Sequence, residues 1–303
     1  MPELKDIEYS QDETVQVIRD YYEFLASMYM DPSRIIHPPE GGWPALTPTN
    51  LEGFNKTDEV VELLGRLSYI AGDKPDPYLC RPHGAPDCKF HDYTNDSLSR
   101  DPNELRSMTE GGYMDQVPSH VFGLLSGTED QGFLLDTELG IVHWTECPTE
   151  IEQRPQNLNT LLSQQSDLGT ARHDSSDNSR LIEGVLDDFY DDDLVPEEEQ
   201  EWRADASTWA IADFFQLLKL QFSALNWIPL SSKRIIDVWT LERTGLSQMV
   251  NDLRGVWREH GWPPLPTDPE TGRFFDKQGC LAQVRRLLQE RYPEHAEFLD
   301  QYP

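Results

Sequence analysis

The sequence predicts an α+β fold, a mixed, mostly antiparallel sheet with a β-hairpin meander and helices packed on it. Three observations carry this. Ser207 to Pro229 (STWAIADFFQLLKLQFSALNWIP) repeats apolar residues at helical spacing. Residues 120–145 hold short apolar runs separated by turn signals, the mark of a strand meander. Amphipathic helical patterns lie on both sides of these segments.

In the 207–229 stretch, Ile211, Phe215, Leu218, Phe222 and Leu225 recur at steps of three and four, and Ala210, Phe214 and Leu217 widen that face. Asp213, Gln216 and Lys219 leave only a narrow polar stripe, so this reads as the main core helix rather than a partner-binding one. Asp205, Ser207 or Thr208 offers an N-cap oxygen, and Pro229 marks the stop. The length suits a membrane span, but Asp213, Gln216, Lys219 and Gln221 argue against one.

Taken in order, Asp12 to Met30 is an amphipathic helix on Val15, Ile18, Tyr22, Leu25 and Tyr29, ended by Asp31-Pro32. Residues 35–44 (IIHPPEGGWP) preclude regular structure, and Trp43 reads as the anchor that packs the loop down. Thr47-Pro48 opens a short helix, and Asp58 to Tyr69 forms another. Residues 71–116 are loop-rich. His120 to Leu125, Phe133 to Asp136 and Ile141 to Thr145 are strands, the last two joined by a turn closed by Gly140. Residues 148–180 are polar and read as a loop or insertion. Ten of the nineteen residues from Glu183 to Glu201 are acidic, a solvated face beside apolar residues such as Val185 and Leu186. Ser231 to Trp239 enters a further helix, Leu246 to His260 is helical, and Phe274 to Tyr292 is the last helix. These elements suggest one α+β domain over 1–303. Helical parts 1–70 and 230–303 share its core, with a polar and acidic insertion at about 148–201.

The net charge of −30 repels phosphate backbones and anionic membrane surfaces, which excludes nucleic acid and membrane as expected partners. A protein partner, basic in character, suits the field better. The N-terminus shows neither a secretory apolar core nor an Arg-rich amphipathic pattern, so a cytoplasmic or nucleocytoplasmic location is expected. Four scattered cysteines do not build a disulfide framework.

The spacing Cys80-x2-His83-x4-Cys88-x2-His91 places four zinc-type ligands within twelve residues, with Gly84-Ala85-Pro86 to reverse the chain. With all four ligands from protein, such a zinc would be structural. The joining loop is much shorter than in a zinc finger, and a proline-pinned loop with incidental Cys and His is the plainer reading. No other cofactor is expected. No nucleophile elbow, phosphate loop, dinucleotide fingerprint or HExxH pattern occurs. Asp136 and His143 flank one turn; a cross-strand pair is preferred over the support half of a general-base arrangement. His120 and His260 have no evident partners in the sequence.

Gly132-Phe-Leu-Leu-Asp136-Thr137-Glu-Leu-Gly140-Ile-Val-His-Trp144 resembles a recurring pattern of the SUKH superfamily: a strand ending in Asp, a turn with Gly, then a strand ending in an aromatic. Ser207 to Phe215 resembles that family's Ser-Phe-x-x-Phe-Leu helix start, and the loop around Trp43 looks like uncharacterised fungal proteins placed loosely beside the group. The family's usual Leu-Pro…Tyr…Phe-Leu…Asn-Gly opening is missing or badly altered. The resemblance covers about a quarter of the chain. It implies an α+β fold and a regulatory, protein-binding role without catalysis, with Trp43, Asp136 and Trp144 as candidate binding residues. A small hydrolase-like enzyme with a carboxylate or His site, and a metal-stabilised binding module, are the alternatives.

Overall fold

The computed structural model describes residues 2–73, 80–96, 101–127, 132–152, 184–185, 195–204, 206–263 and 274–300. The first helix, α1 (Gln11–Met28), starts where Ser10 Oγ accepts from the Glu13 amide at 3.3 Å, which satisfies one orphan donor. It buries Val15, Ile18, Tyr22 and Leu25, the face its periodicity marks. At its far end the Lys277 ammonium donates to the carbonyls of Ala26 (2.8 Å) and Met30 (3.1 Å), placing a cation where the helix dipole favours one. Thr57 caps α2 (Asp58–Arg66) by accepting from the Val60 amide.

The loop between them is more ordered than its prolines and glycines suggest. Ile35–Ile36 form strand β1, which pairs antiparallel with β2 (Tyr69–Ile70). Tyr69 therefore leaves the helix in which its sequence position seemed to place it. Thr47-Pro48 opens turns rather than a helix: Asn50 Nδ2 donates to the carbonyls of Pro44 and Ala45, and Gly53 adopts φ +89°. Within the region read as loop, Asp101 caps α3 (Pro102–Glu110), with Pro102 in the first turn.

The main sheet is a four-stranded antiparallel meander in the order β3 (Val121–Gly123), β4 (Gly132–Asp136), β5 (Ile141–Thr145) and β6 (Ser207–Ala210). Every strand pairing among the described residues is antiparallel. Asp136 lies opposite Ile141, and Leu134 opposite His143. Gly140, at φ +68°, closes the intervening turn as expected.

The central stretch is strand, helix and strand. After α4 (Glu197–Ala204), Ser207–Ala210 extends the sheet, placing Thr208 and Trp209, both strand-favouring residues, against β5. Only then does α5 (Ile211–Ser223) begin, with Ala210 at the cap position and no side-chain cap. The expected caps Ser207 and Thr208 lie in β6 instead, and the Ile211 amide donates to Gly140 O at 3.1 Å, on the neighbouring turn; Asp205 lies outside the described residues. Leu225 takes φ +55° beyond the helix, and Trp227–Pro229 (β7) then pairs with Ile235–Asp237 (β8). Pro229 thus sits in a strand and does not stop the helix.

The core lies where α5 crosses the sheet. Phe214 packs edge-on against Phe133 (4.9 Å between centroids) and Trp144 (6.0 Å), while Phe215 meets Tyr21 of α1 at 5.4 Å. Each such fully buried side chain contributes roughly 1.5–3 kcal/mol of transfer free energy. Downstream, α6 (Val238–Arg243), α7 (Ser247–Glu259) and α8 (Lys277–Arg291) continue the same hydrophobic cluster. Pro293 opens a further helix, α9 (Pro293–Asp300), where a single terminal helix was expected. Phe274 is 83% exposed and precedes α8.

Most of the expected insertion at 148–201 lies outside the described residues. Thr149–Glu152 forms a helical turn, and Val185 and Val195 are buried with Leu4 and Ile141. Among the described residues no helix is long and apolar enough to cross a membrane.

A Cβ built on Gly123 would stand 1.7 Å from Thr109 O, so β3 and α3 meet backbone to backbone. We expect Gly123→Ala to destabilise the protein by about 3 kcal/mol, measured by urea denaturation; a loss under about 0.5 kcal/mol, as for an ordinary surface change, would contradict this packing.

Candidate functional site

Two features of the fold resemble sites: a buried polar cluster at one end of the sheet and an open cleft between α1, α2 and the Pro/Gly loop. The cluster centres on Arg203 of α4. Its Nη2 and Nε donate to Glu199 Oε2 at 2.7 and 3.0 Å, one helical turn earlier. Its Nη1 lies 2.6 Å from Asp136 Oδ2, an ion pair without aligned hydrogen-bond geometry, and 2.8 Å from His143 Nε2. Its Nη2 also approaches His120 Nε2 at 3.2 Å. The guanidinium sits 4.7 Å from the Trp202 ring.

Asp136 uses its other oxygen on the turn, accepting from the amides of Glu138 and Leu139, both at 2.8 Å. Arginine has only donors, so His143 Nε2 is an acceptor and its proton resides on Nδ1, facing Thr208 Oγ1 at 3.2 Å. The same reasoning makes His120 Nε2 an acceptor and turns its Nδ1 toward Glu138 at 3.4 Å. The sequence placed Asp136 and His143 together across a hairpin; the structure joins them through Arg203 and brings in His120, which had no evident partner.

This assembly resembles acid–base machinery, but of its members only His120 is partly exposed. Asp136, His143 and Arg203 are 0% exposed. No substrate atom reaches them, and both nitrogens of His143 are engaged. Burial, then the Arg203 charge, holds the His143 imidazole well below its ordinary value of 6.5, so the ring stays neutral. A second buried pair, Lys56 Nζ to Glu110 Oε1 at 2.7 Å, is likewise fully enclosed. Glu199 is also buried, so at least this member of the acidic run is not the solvated face its sequence suggested.

The four Cys and His residues proposed to hold zinc do not converge. Among the described residues, no three His, Cys, Asp or Glu side chains stand where they could hold one ion. The chain reverses too tightly, in the bridge Ala85 to Cys88, and this turns Cys88 into the core. There burial pushes its thiol up to about 12, whereas zinc binds the thiolate. His83 is held down to about 4 by burial and the nearby Lys89 and Arg234, and its amide donates to Lys233 O. His91 is buried edge-on against Tyr93. Cys80 is half-buried.

Of the candidate binding residues, Asp136 and Trp144 are interior, at 0% and 3% exposure, and offer nothing to a partner. Trp43 differs. It lines a cleft of about 750 Å³ whose walls are α1 (Val15, Arg19), α2 (Asp58, Val61, Glu62, Gly65, Arg66) and the loop from Pro38 to Pro48. The loop is fixed on α2: Trp43 N donates to Gly65 O and Trp43 Nε1 to Leu67 O, both at 2.8 Å. Gly42 takes φ +87°, and a Cβ there would come within 2.8 Å of Gly65 O, so only glycine permits this approach. Trp43 is thus both the packing anchor expected of it and part of a surface. The sequence could have flagged the cleft only through the joint presence of Trp43, Pro38, Pro39, Pro44 and Pro48 in one short loop. No protein-family model, curated protein or solved structure matches the chain.

Two outcomes test the structural reading of the cluster. Arg203→Met leaves buried Asp136 and Glu199 without their cation and should cost about 3–5 kcal/mol in denaturant unfolding. The pH dependence follows from His143. The unfolded ring binds a proton below about 6.5 and the folded ring does not, so its contribution is complete above that pH and declines below it. Wild type should therefore lose about 1.4 kcal/mol per pH unit relative to His143→Gln as the pH falls below 6.5. Parallel stability curves for the two proteins would contradict it.

Proposed function

We propose that this chain is a non-enzymatic, intracellular protein-interaction module of SUKH-like type, cytoplasmic or nucleocytoplasmic, with the Trp43 cleft as its binding site. The observation that carries the reading is the cleft: a preformed opening, walled by four prolines and a half-buried tryptophan, that presents apolar surface beside charged groups. Rigid walls lose little freedom on binding, which favours recognition of a partner segment. The acidic net charge of −30 supports a partner of basic overall character. The resemblance of the hairpin to the SUKH pattern agrees with a binding role.

The enzyme alternative has less support, because Asp136, His143 and Arg203, the centre of the group that resembles a site, are buried. The metal-stabilised alternative has less still, because among the described residues no three of its ligands gather around one point.

The test compares capture of partners from source lysate by the tagged wild type, Trp43→Ala and Pro44→Arg, at low and high salt. Pro44 is exposed, so its substitution leaves the core intact. A partner bound by wild type, lost on both substitutions and weakened by salt is the expected result. Partners retained equally by all three proteins would place binding elsewhere.

A further inference from the structure

The cleft is lined by an arginine, Arg19, that forms no ion pair with the described residues. The chain has 55 acidic against 25 basic residues, so acids to pair with an arginine are abundant. Arg66, on the neighbouring wall, is paired as expected, donating to Gln11 Oε1 at 2.5 Å and meeting the Asp12 carboxylate. Arg19 lines the same cleft, its side chain is half-buried, and its Nε is enclosed with no hydrogen-bond partner among the described residues. An atom closed to solvent is closed to a ligand as well, so a ligand meets Arg19 through the terminal nitrogens of its half-buried side chain. The planar guanidinium matches a carboxylate in particular, through paired, charge-assisted hydrogen bonds.

The remaining charges at the mouth have the opposite sign. Asp58 and Glu62 are four residues apart on one face of α2 and are exposed. They repel a uniformly acidic ligand and favour a base beside the buried acid. The apolar wall of Trp43, Leu46 and Val61 takes the third element.

We infer that the cleft binds an extended peptide segment in which one Asp or Glu, seated on Arg19, lies beside an apolar residue packed on Trp43 and a Lys or Arg facing Asp58 and Glu62. This rests on the reading of the cleft as a protein-binding site. It gives a basic partner a defined acidic anchor, which net charge alone would not suggest.

The test uses the full chain and a display library of random ten-residue peptides. Peptides enriched by wild type but not by Pro44→Arg are synthesised in pairs, with the acidic residue or its amide. The expected result is that the amide form binds wild type about ten-fold or more weakly, while Arg19→Gln binds both forms alike and melts with wild type. Cleft-dependent peptides that lack an acid, or that bind equally well in both forms, would overturn the role of Arg19 and leave the binding reading standing. Failure to enrich any peptide dependent on Pro44 would remove the peptide-binding cleft, and this inference with it.

Discussion

The structure depends on matching one buried guanidinium. Removing Arg203 from water costs several kcal/mol unless its donors are met, and the fold meets them from four places. Glu199 comes from the preceding turn of α4, Asp136 from the end of β4, and His143 and His120 from β5 and the approach to β3. The arrangement pins α4 across the sheet and holds the 136–140 turn through the two amides that Asp136 also binds. Gly140 O in that turn then receives the first amide of α5. The position of the central helix is thereby linked to the ion cluster, and through Phe215 and Tyr21 to α1. Since α1 forms one wall of the cleft, the exposed surface rests on a scaffold whose polar interior is spent on architecture.

The buried cluster and the cleft differ in how far their polar groups are matched. Buried polar networks are favourable only when every member is satisfied, and here the neutral His143 is part of the match: protonated, it would face the Arg203 charge. The cleft is the converse. Its walls are stiffened by prolines and by backbone contact between Gly42 and Gly65, and Arg19 Nε has no hydrogen-bond partner among the described residues.

Much of the architecture was legible in the sequence. The hairpin was read correctly because Phe133 to Asp136 and Ile141 to Thr145 flank a turn closed by glycine, and both strand type and turn chemistry are local signals. Helices α1, α2 and α7 were legible from their apolar spacing. The stretch from Ser207 to Pro229 was misread at both ends because Trp209 and Trp227 extend the same apolar run; strand pairing with β5 and β8 overrode the helical periodicity. Arg203 was not legible as a centre. At four residues from Glu199 it looks like half of a surface pair, and nothing local indicates that His120, Asp136 and His143 meet it. The Cys80 to His91 spacing shows the same effect: spacing counts residues, whereas the fold carries Cys88 into the core beside the Ala85–Cys88 bridge. The cleft was partly legible, since Trp43 and its prolines stood out, but Arg19 is one arginine among many until α1 and the loop are placed together.

The central claim is that the cleft, and not the buried cluster, is where this protein works. Hydrogen–deuterium exchange on the full chain, alone and in complex with a captured partner, addresses it most directly. The account predicts slowed exchange in residues 38–48 and in the exposed first turns of α2, with the amides of β4 and β5 unchanged. Protection concentrated around residues 132–145, with residues 38–48 unaffected, would contradict it.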